Sequence, residues 1–338
     1  MELSGTILTG PDFEARDGRV HIDDGEIEAV ETASVYSNDI VLPAFVNAHT
    51  HIGDSIAKEA GEGLSLEELV APPDGLKHRL LGDATRMELI DAMADTVEFM
   101  REGGTTAFLD FREGGRDGIE AFRAATEGSD IEGLAFGRGE SSVLDVADGY
   151  GASGVRDAEF SGQRAAAREA GKPFAIHAGE RDPHDIDAAL DLDPAFVVHM
   201  VHAFDHHLDR LADDGPPVVV CPRSNLVTGV GTPPVAALLE RTDVALGTDN
   251  AMLNAPSMFR EMEFTAKLFD VTAKEVLRMA TTAGARLAGM NCGVVEPGRA
   301  ARLLVLDGES ANLRNARDPV RAVVRRASVA DVKRVVAP

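Results

Sequence analysis

From residue 44 to residue 292 the chain repeats one pattern, a short apolar run ending in polar residues and then a segment with helical apolar spacing. "ATRMELIDAMADTVEFMREGG" has helical spacing and stops at Gly103-Gly104; "TTAFLDF" follows as a strand, "GIEAFRAATE" as a helix and "IEGLAFG" as the next strand. "KPFAIHAGE", "AFVVHMVHAF", "PPVVVCPRSN" and "DVALGTDN" continue the series. Strands alternating with helices over about 250 residues demand a parallel sheet, either closed as a (β/α)8 TIM barrel or open and doubly wound. No glycine-rich dinucleotide fingerprint follows the first strand, and no G-x-x-x-x-G-K-[ST] phosphate loop occurs. The α/β barrel over residues 44–292 is the expectation.

The flanks read differently. Residues 1–43 contain "DGRVHIDDGEIEAV", with hairpin signals at Asp17-Gly18 and Asp24-Gly25. Residues 293–338 offer "ARLLVLDG" and "PVRAVVRRAS" as short strands. The two ends are expected to pair into one small β-sandwich, discontinuous in sequence and interrupted by the barrel.

Composition narrows the function classes. The chain has 338 residues and a net charge of -24, with six lysines against 27 arginines. An acid-rich, lysine-poor surface suits a salt-adapted, halophilic protein, in which ionic strength screens self-repulsion. The same field repels phosphate backbones, so nucleic acid is not an expected partner. No apolar run approaches the roughly 18 residues that span a bilayer, and the N-terminus shows no secretory pattern. Two cysteines, Cys221 and Cys292, build no disulfide framework. A cytoplasmic protein acting on a small molecule, and compatible with a homo-oligomer, is the expected class.

The polar tips carry the chemistry. In a parallel barrel, reactive groups sit at the C-terminal ends of the strands, and here that rule selects His49, His51, His177, Glu180, His199 and Asp249. His49 and His51 stand at i and i+2 of one strand, so both leave the same face. One such histidine is usually a satisfied core residue; four with an aspartate, all at strand ends, match a mixed N/O catalytic metal site with room for water. His206 and His207 fall in a polar helical stretch and read as solvated, and nothing singles out His21, His78 or His184.

"LPAFVNAHTH", "IHAGE", "VVHMVHAF", "CPRSNLVTGVGTPPV" and "ALGTDNAMLNAPSMFREM" resemble, in order, the signatures of the amidohydrolase superfamily, closest to its metal-dependent aminohydrolase branch of adenosine, guanine, cytosine and methylthioadenosine/S-adenosylhomocysteine deaminases. The resemblance implies that His49, His51, His177 and Asp249 bind one divalent metal ion, zinc above all, with iron or manganese as alternatives. It implies that His199, with Asp249, accepts the proton of the attacking water, and that Glu180 shuttles protons to the ring nitrogen. His202 falls where the family varies and reads as structural or pocket-lining. Binuclear relatives use a carboxylated lysine on the fourth strand. "GASGVRDAEF", the fourth-strand candidate, has none, and only Lys58, Lys77 and Lys172 lie between His51 and His177. One metal is therefore expected.

Arg112, Arg138 and Arg181 each follow an apparent strand end and could clamp an anionic substrate group; Asp110, Glu113, Glu140 and Asp182 beside them offer local ion pairs instead. Asn225 reads as securing a loop, Cys221 as structural, and the substrate lid as reduced. The leading expectation is hydrolytic deamination of an aminated purine or pyrimidine-like heterocycle with release of ammonia. The alternatives are hydrolysis of a cyclic amide or of a chloro- or alkylamino-heterocycle on the same site, and an inactive barrel scaffold.

Overall fold

In the computed structural model, which describes residues 1–70, 74–212 and 214–338, fifteen strands form two sheets. The larger contains β5 (Phe45–His51), β6 (Thr105–Arg112), β7 (Glu132–Gly137), β8 (Gly149–Ala152), β9 (Phe174–Ala178), β10 (Phe196–His199), β11 (Val218–Val220), β12 (Val244–Leu246) and β13 (Asp249–Asn250). Every pairing in it is parallel. β12 pairs with β11 and β13 with β5, and only Gly247 and Thr248 separate β12 from β13. Gly247 N–H donates to Val220 O and Thr248 N–H to His49 O, each at 3.0 Å. One interrupted strand thus joins the last neighbour to the first, and the sheet closes as an α/β barrel.

Inside it pack small and aromatic side chains, among them Val46, Ala107, Phe111, Phe136, Phe196, Val198 and Cys221. Phe45, Phe108, Phe174, Ile176 and Val197 face the surrounding helices. One of those helices, Arg86–Glu102, begins with a capping box in which Thr85 and Glu88 satisfy each other's backbone N–H, and it ends at Gly103, as read from the sequence.

The fourth strand departs from expectation. β8 is "GYGA", and only its last two residues fall in the "GASGVRDAEF" run. A Cβ on Gly149 would lie 2.6 Å from the Phe136 ring, and one on Gly151 would lie 2.7 Å from Phe111. The strand is glycine-rich because two core rings occupy the space its side chains would fill, and that removes the apolar signal a strand normally carries.

The terminal segments do pair, but as one six-stranded sheet rather than two layers: β15 (Val332–Val336), β14 (Leu303–Leu306), β4 (Ile40–Pro43), β1 (Glu2–Thr9), β2 (Glu14–Asp23) and β3 (Glu26–Thr32), in that order. The sheet curls until Glu26 bridges Ala300, just ahead of β14. Asp24 and Gly25, with φ of 46° and 76°, make the expected β2–β3 turn. Asp17-Gly18, by contrast, lies within β2, where Gly18 pairs with Gly5. "PVRAVVRRAS" is a helix over Pro319–Arg325, because Asp318 caps it, Pro319 fits its first position, and Val320, Val323 and Val324 are buried along it. A single residue, Ala44, leads from β4 into β5.

Candidate metal centre and catalytic pocket

β5 brings both of its histidines to the barrel mouth through an irregularity. Val46 and Ala48 point into the barrel core, so strict alternation would turn His49 and His51 outward. The register against β6 slips between Asn47 and Thr50, and a one-residue slip exchanges the two faces. His199 ends β10 with φ of 84°, and Asp249 opens β13 with φ of 57°. Val198 already faces inward, so the left-handed backbone at His199 redirects a side chain that alternation would send out. Such conformations cost on the order of 1–3 kcal/mol each at non-glycine residues and gather at functional sites.

His49 Nε2 lies 3.2 Å from His177 Nε2 and 3.3 Å from Asp249 Oδ1, and His51 Nε2 lies 3.6 Å from the same oxygen. All four groups are buried. His177 Nδ1 donates to Ala152 O at 2.9 Å and His51 Nδ1 faces Glu113 Oε1 at 3.2 Å. With its Nδ1 donating, His177 turns its Nε2 lone pair towards His49, and His51 Nε2 faces Asp249 across the same centre. An electron-rich centre of this kind, with two facing nitrogens of which at most one can carry a proton, fits a cation at its middle. Burial lowers the pKa of His49. Burial with the Lys77 charge takes His51 well below the usual range, and burial with the other imidazoles does the same for His177. Burial pushes the Asp249 carboxyl up, but the hydrogen bond with His49 and the surrounding imidazoles outweigh it and hold the group well below its ordinary value. Neutral imidazoles and an ionised carboxylate are the protonation states a divalent ion requires.

Beside this quartet, His199 Nε2 is 3.6 Å from Glu180 Oε2, and Glu180, His199 and Asp249 form a second convergent group. Burial raises the pKa of Glu180, against the opposing pull of His199. Two residues whose sequence context offered only a loop hold this group in place. Ser224 Oγ donates to Asp249 Oδ2 at 2.6 Å, and Asn225 Nδ2 donates to His199 Nδ1 at 3.1 Å. Both stand on the helix Pro222–Thr228. Their signal was present in "CPRSN", but nothing in the sequence said which strand ends they would meet.

A cavity of ≈ 100 Å³ opens over the cluster, and Leu66, Val70, Lys77, Arg138, Arg156, Glu180, Arg181 and Asn250 are among its walls. Leu66, Val70 and Lys77 come from the β5–β6 connection, so that connection supplies one side of the pocket. No phenylalanine or tyrosine lines it among the described residues. Of the four candidate substrate contacts, Arg138 and Arg181 stand on the wall and Arg112 and His202 do not. Arg112 is 3% exposed, lies against Gly53, and is held by Asp110 at 3.4 Å and Glu113 at 2.6 Å. His202 donates its backbone N–H to Gly179 O at 3.0 Å. Arg181 is exposed and makes no ion pair among the described residues.

Lys172 donates to the carbonyls of Leu144 and Ala147, away from the cluster. Lys77 does approach, with Nζ 3.3 Å from His51 Nδ1, but on the ring edge opposite Nε2, the nitrogen that faces Asp249. His206 is exposed as expected; His207 is buried, its Nδ1 accepting from Phe204 N–H at 3.0 Å at the start of the helix Asp205–Leu211. Cys221 is buried in the barrel core, its thiol pushed well up by burial, as suits a structural residue. No described helix is long and apolar enough to cross a membrane.

The model of the amidohydrolase family matches residues 40–337. A putative aminohydrolase from Methanothermobacter thermautotrophicus is 33% identical, over 96% of this chain and 94% of its own length. A 5-methylthioadenosine/S-adenosylhomocysteine deaminase from Halobacterium salinarum is 28% identical, over 99% of this chain and 90% of its own. The crystal structure of atrazine chlorohydrolase from Arthrobacter aurescens TC1, complexed with zinc, shares the fold with a TM-score of 0.82 at 18% identity, covering 99% of this chain and 93% of that one. With a family model spanning the barrel and a relative this similar along nearly its whole length, the chain belongs to the metal-dependent amidohydrolase family and is a hydrolase of carbon–nitrogen bonds.

Proposed function

We propose that the protein is a mononuclear hydrolytic deaminase of an aminated purine- or pyrimidine-like heterocycle, releasing ammonia. One observation carries the reading: the quartet His49, His51, His177 and Asp249 closes around one point while Glu180, with a raised pKa, stands beside it on the cavity wall. The quartet holds one divalent ion, zinc by its N/O donor set and by the zinc in the chlorohydrolase of the same fold. When bound, that ion supplies Lewis acidity, which makes water a competent nucleophile near neutral pH. Asp249 and His199 face that water as proton acceptors, and Ser224 and Asn225 hold them in place. Glu180, its pKa raised by burial, would give its proton to the ring nitrogen as the ring carbon becomes tetrahedral, and the proton taken from the water by Asp249 and His199 would pass to the amine, which leaves as ammonia. Arg138 and Arg181 contact the substrate.

In this reading residues 1–43 and 293–338 form one small discontinuous unit around the catalytic barrel of residues 44–292. The protein works in a salt-rich cytoplasm on a small molecule, apart from nucleic acid and membranes, and its surface leaves room for a homo-oligomer.

The test is a panel of amino-, chloro- and alkylamino-heterocycles scored for ammonia, chloride and amine, run on the wild type and on Glu180→Gln and His177→Ala. Glu180→Gln is expected to keep its metal and to lose about 10²–10⁴ in turnover, whereas His177→Ala loses metal and activity together. Ammonia release at wild-type rate from Glu180→Gln removes the proton shuttle, and chloride or amine release without ammonia moves the assignment to the other hydrolysis.

A further inference from the structure

Behind His51, on the side away from Asp249, a second set of charged groups meets, with Lys77, Asp54, Asp110 and Arg112 buried and Glu113 and Arg138 partly so. Glu113 is its centre. Glu113 Oε1 lies 2.7 Å from Lys77 Nζ, 3.0 Å from Arg138 and 3.2 Å from His51 Nδ1, while Oε2 takes Arg112 at 2.6 Å. Lys77 Nζ also lies 2.9 Å from Asp54 Oδ2, an ion contact without hydrogen-bond alignment, and Arg112 reaches Asp110. Lys77 is 3% exposed and Asp54 1%.

Stability alone is a poor reason for such a cluster. Each buried ion gives up several kcal/mol of hydration, and apolar side chains of similar volume commonly serve as well. Apolar packing could not, however, decide which nitrogen of His51 carries the proton. Lys77, Arg112 and Arg138 have only protons to give, so among the groups against Nδ1 the one acceptor is Glu113. A proton on Nδ1 leaves the Nε2 lone pair facing the centre. The other end of the cluster belongs to the pocket. Lys77 stands on the helix Leu76–Asp83 in the β5–β6 connection and lines the cavity, as does Arg138.

We propose that Glu113 is a positioning residue that holds His51 with Nδ1 protonated and Nε2 free for the metal, and that Lys77 latches the β5–β6 connection onto the same carboxylate, so that the metal centre and the pocket wall are set by one group. The proposal rests on the reading of His51 as a metal ligand. It assigns Glu113 no contact with substrate; removing it acts through His51 and through Lys77.

Competition with a chelator for zinc tests it, with the full-length protein in the wild type, Glu113→Gln, His51→Asn and the double variant. Outer partners of ligating histidines are commonly worth about 10- to 100-fold in metal affinity, and Glu113→Gln is expected to weaken zinc by that factor. On the His51→Asn background the same change should be nearly silent, because no imidazole is left to orient. A general loss of packing would weaken both backgrounds alike and would overturn the positioning role. Zinc affinity within twofold of wild type in a folded Glu113→Gln overturns it as well. If Glu113→Gln does not fold, Glu113→Asp, which withdraws the charge by one methylene, is expected to weaken zinc in the same direction; unchanged affinity there refutes the proposal. The latch is read separately. Lys77→Met should speed limited proteolysis within the β5–β6 connection and raise KM while leaving zinc affinity within about threefold of wild type, and unchanged proteolysis refutes it. Wild-type zinc affinity in His51→Asn would instead sink the ligand assignment of the proposed function.

Discussion

Glu261 offers a test in which two physical arguments predict opposite signs. It lies on the helix Met258–Leu268, is 0% exposed, and accepts from Arg223 N–H at 3.0 Å and from the Arg223 guanidinium at 3.4 Å. Arg223 also donates to Ala255 O and Asn254 Oδ1, and it directly precedes Ser224 and Asn225. Burial pushes Glu261 up to about 7, against the lowering effect of Arg223. An unfolded glutamate titrates near about 4.3. A folded pKa raised above the unfolded one means that the native state holds the proton more tightly. The stabilisation is full below about pH 4.3 and is lost as pH rises through about 7, a loss of roughly 3–4 kcal/mol at about 1.4 kcal/mol per pH unit.

Glu261→Gln keeps an acceptor for Arg223 N–H and carries no charge at any pH. Urea melts of variant and wild type, with chelator and constant salt, are expected to agree within about 1 kcal/mol at pH 5 and to favour the variant by about 3 kcal/mol at pH 8. Asp54 and Asp110, raised by burial to about 7 and about 6, titrate in both proteins and cancel in the difference. The opposing argument is that breaking a buried ion pair costs about 3–5 kcal/mol by stranding the partner. A variant destabilised by that amount at pH 8 would show that the ionised Glu261–Arg223 pair outweighs the cost of burying the charge, and the reasoning from burial would be refuted.

Three further predictions concern charge. Arg181→Gln is expected to raise KM for the best substrate by about 10-fold or more, the worth of a charge-assisted hydrogen bond, with kcat little changed; an unaltered KM removes Arg181 from the substrate. Arg112→Met should instead lower stability by about 3–5 kcal/mol in urea melts by leaving buried Asp110 and Glu113 short of a partner, and a variant as stable as wild type would contradict that placement. With 57 acidic residues against 33 basic ones, the melting temperature should climb from about 0.1 M to 1 M potassium chloride as the Debye length falls from about 10 to 3 Å. A flat response would end the halophilic reading of the composition.

The convergence of His49, His51, His177 and Asp249 was legible because barrel topology fixes where a strand ends, whatever the details of the strand. His177 follows three apolar residues of β9 and needs nothing else to reach the mouth. How the others get there was not legible. The slip in β5 leaves no mark in residue type, and the left-handed backbone of His199 and Asp249 leaves only a weak one, since histidine and aspartate are enriched at positive φ but mostly adopt other conformations. β8 was displaced for the opposite reason. Its glycines, which weaken the apolar signal of a strand, are the space taken by Phe111 and Phe136, rings that belong to other strands. The terminal helix Pro319–Arg325 was missed because its β-branched valines suit a strand by residue type, while their spacing at 320, 323 and 324 and the Asp318-Pro319 start suit a helix.

The arginines show where sequence reasoning stops and why. Arg112, Arg138 and Arg181 looked alike, each a cation just past a strand end with carboxylates nearby. Which of them faces substrate depends on which carboxylate each one reaches, and that is settled by side chains arriving from elsewhere. Gly53, on the turn after β5, makes room for the Arg112 guanidinium, and Glu113 and Asp110 then consume it. Lys77 arrives along the β5–β6 connection to share Glu113 Oε1 with Arg138, which leaves Arg138 on the wall but already paired. Arg181 makes no ion pair among the described residues, although its charge acts on neighbouring Glu180. Of the three arginines on this wall, Arg138 and Arg156 are already held by Glu113 and Asp182, and that difference, rather than its place after "HAGE", is the argument for giving Arg181 to the substrate in the proposed function.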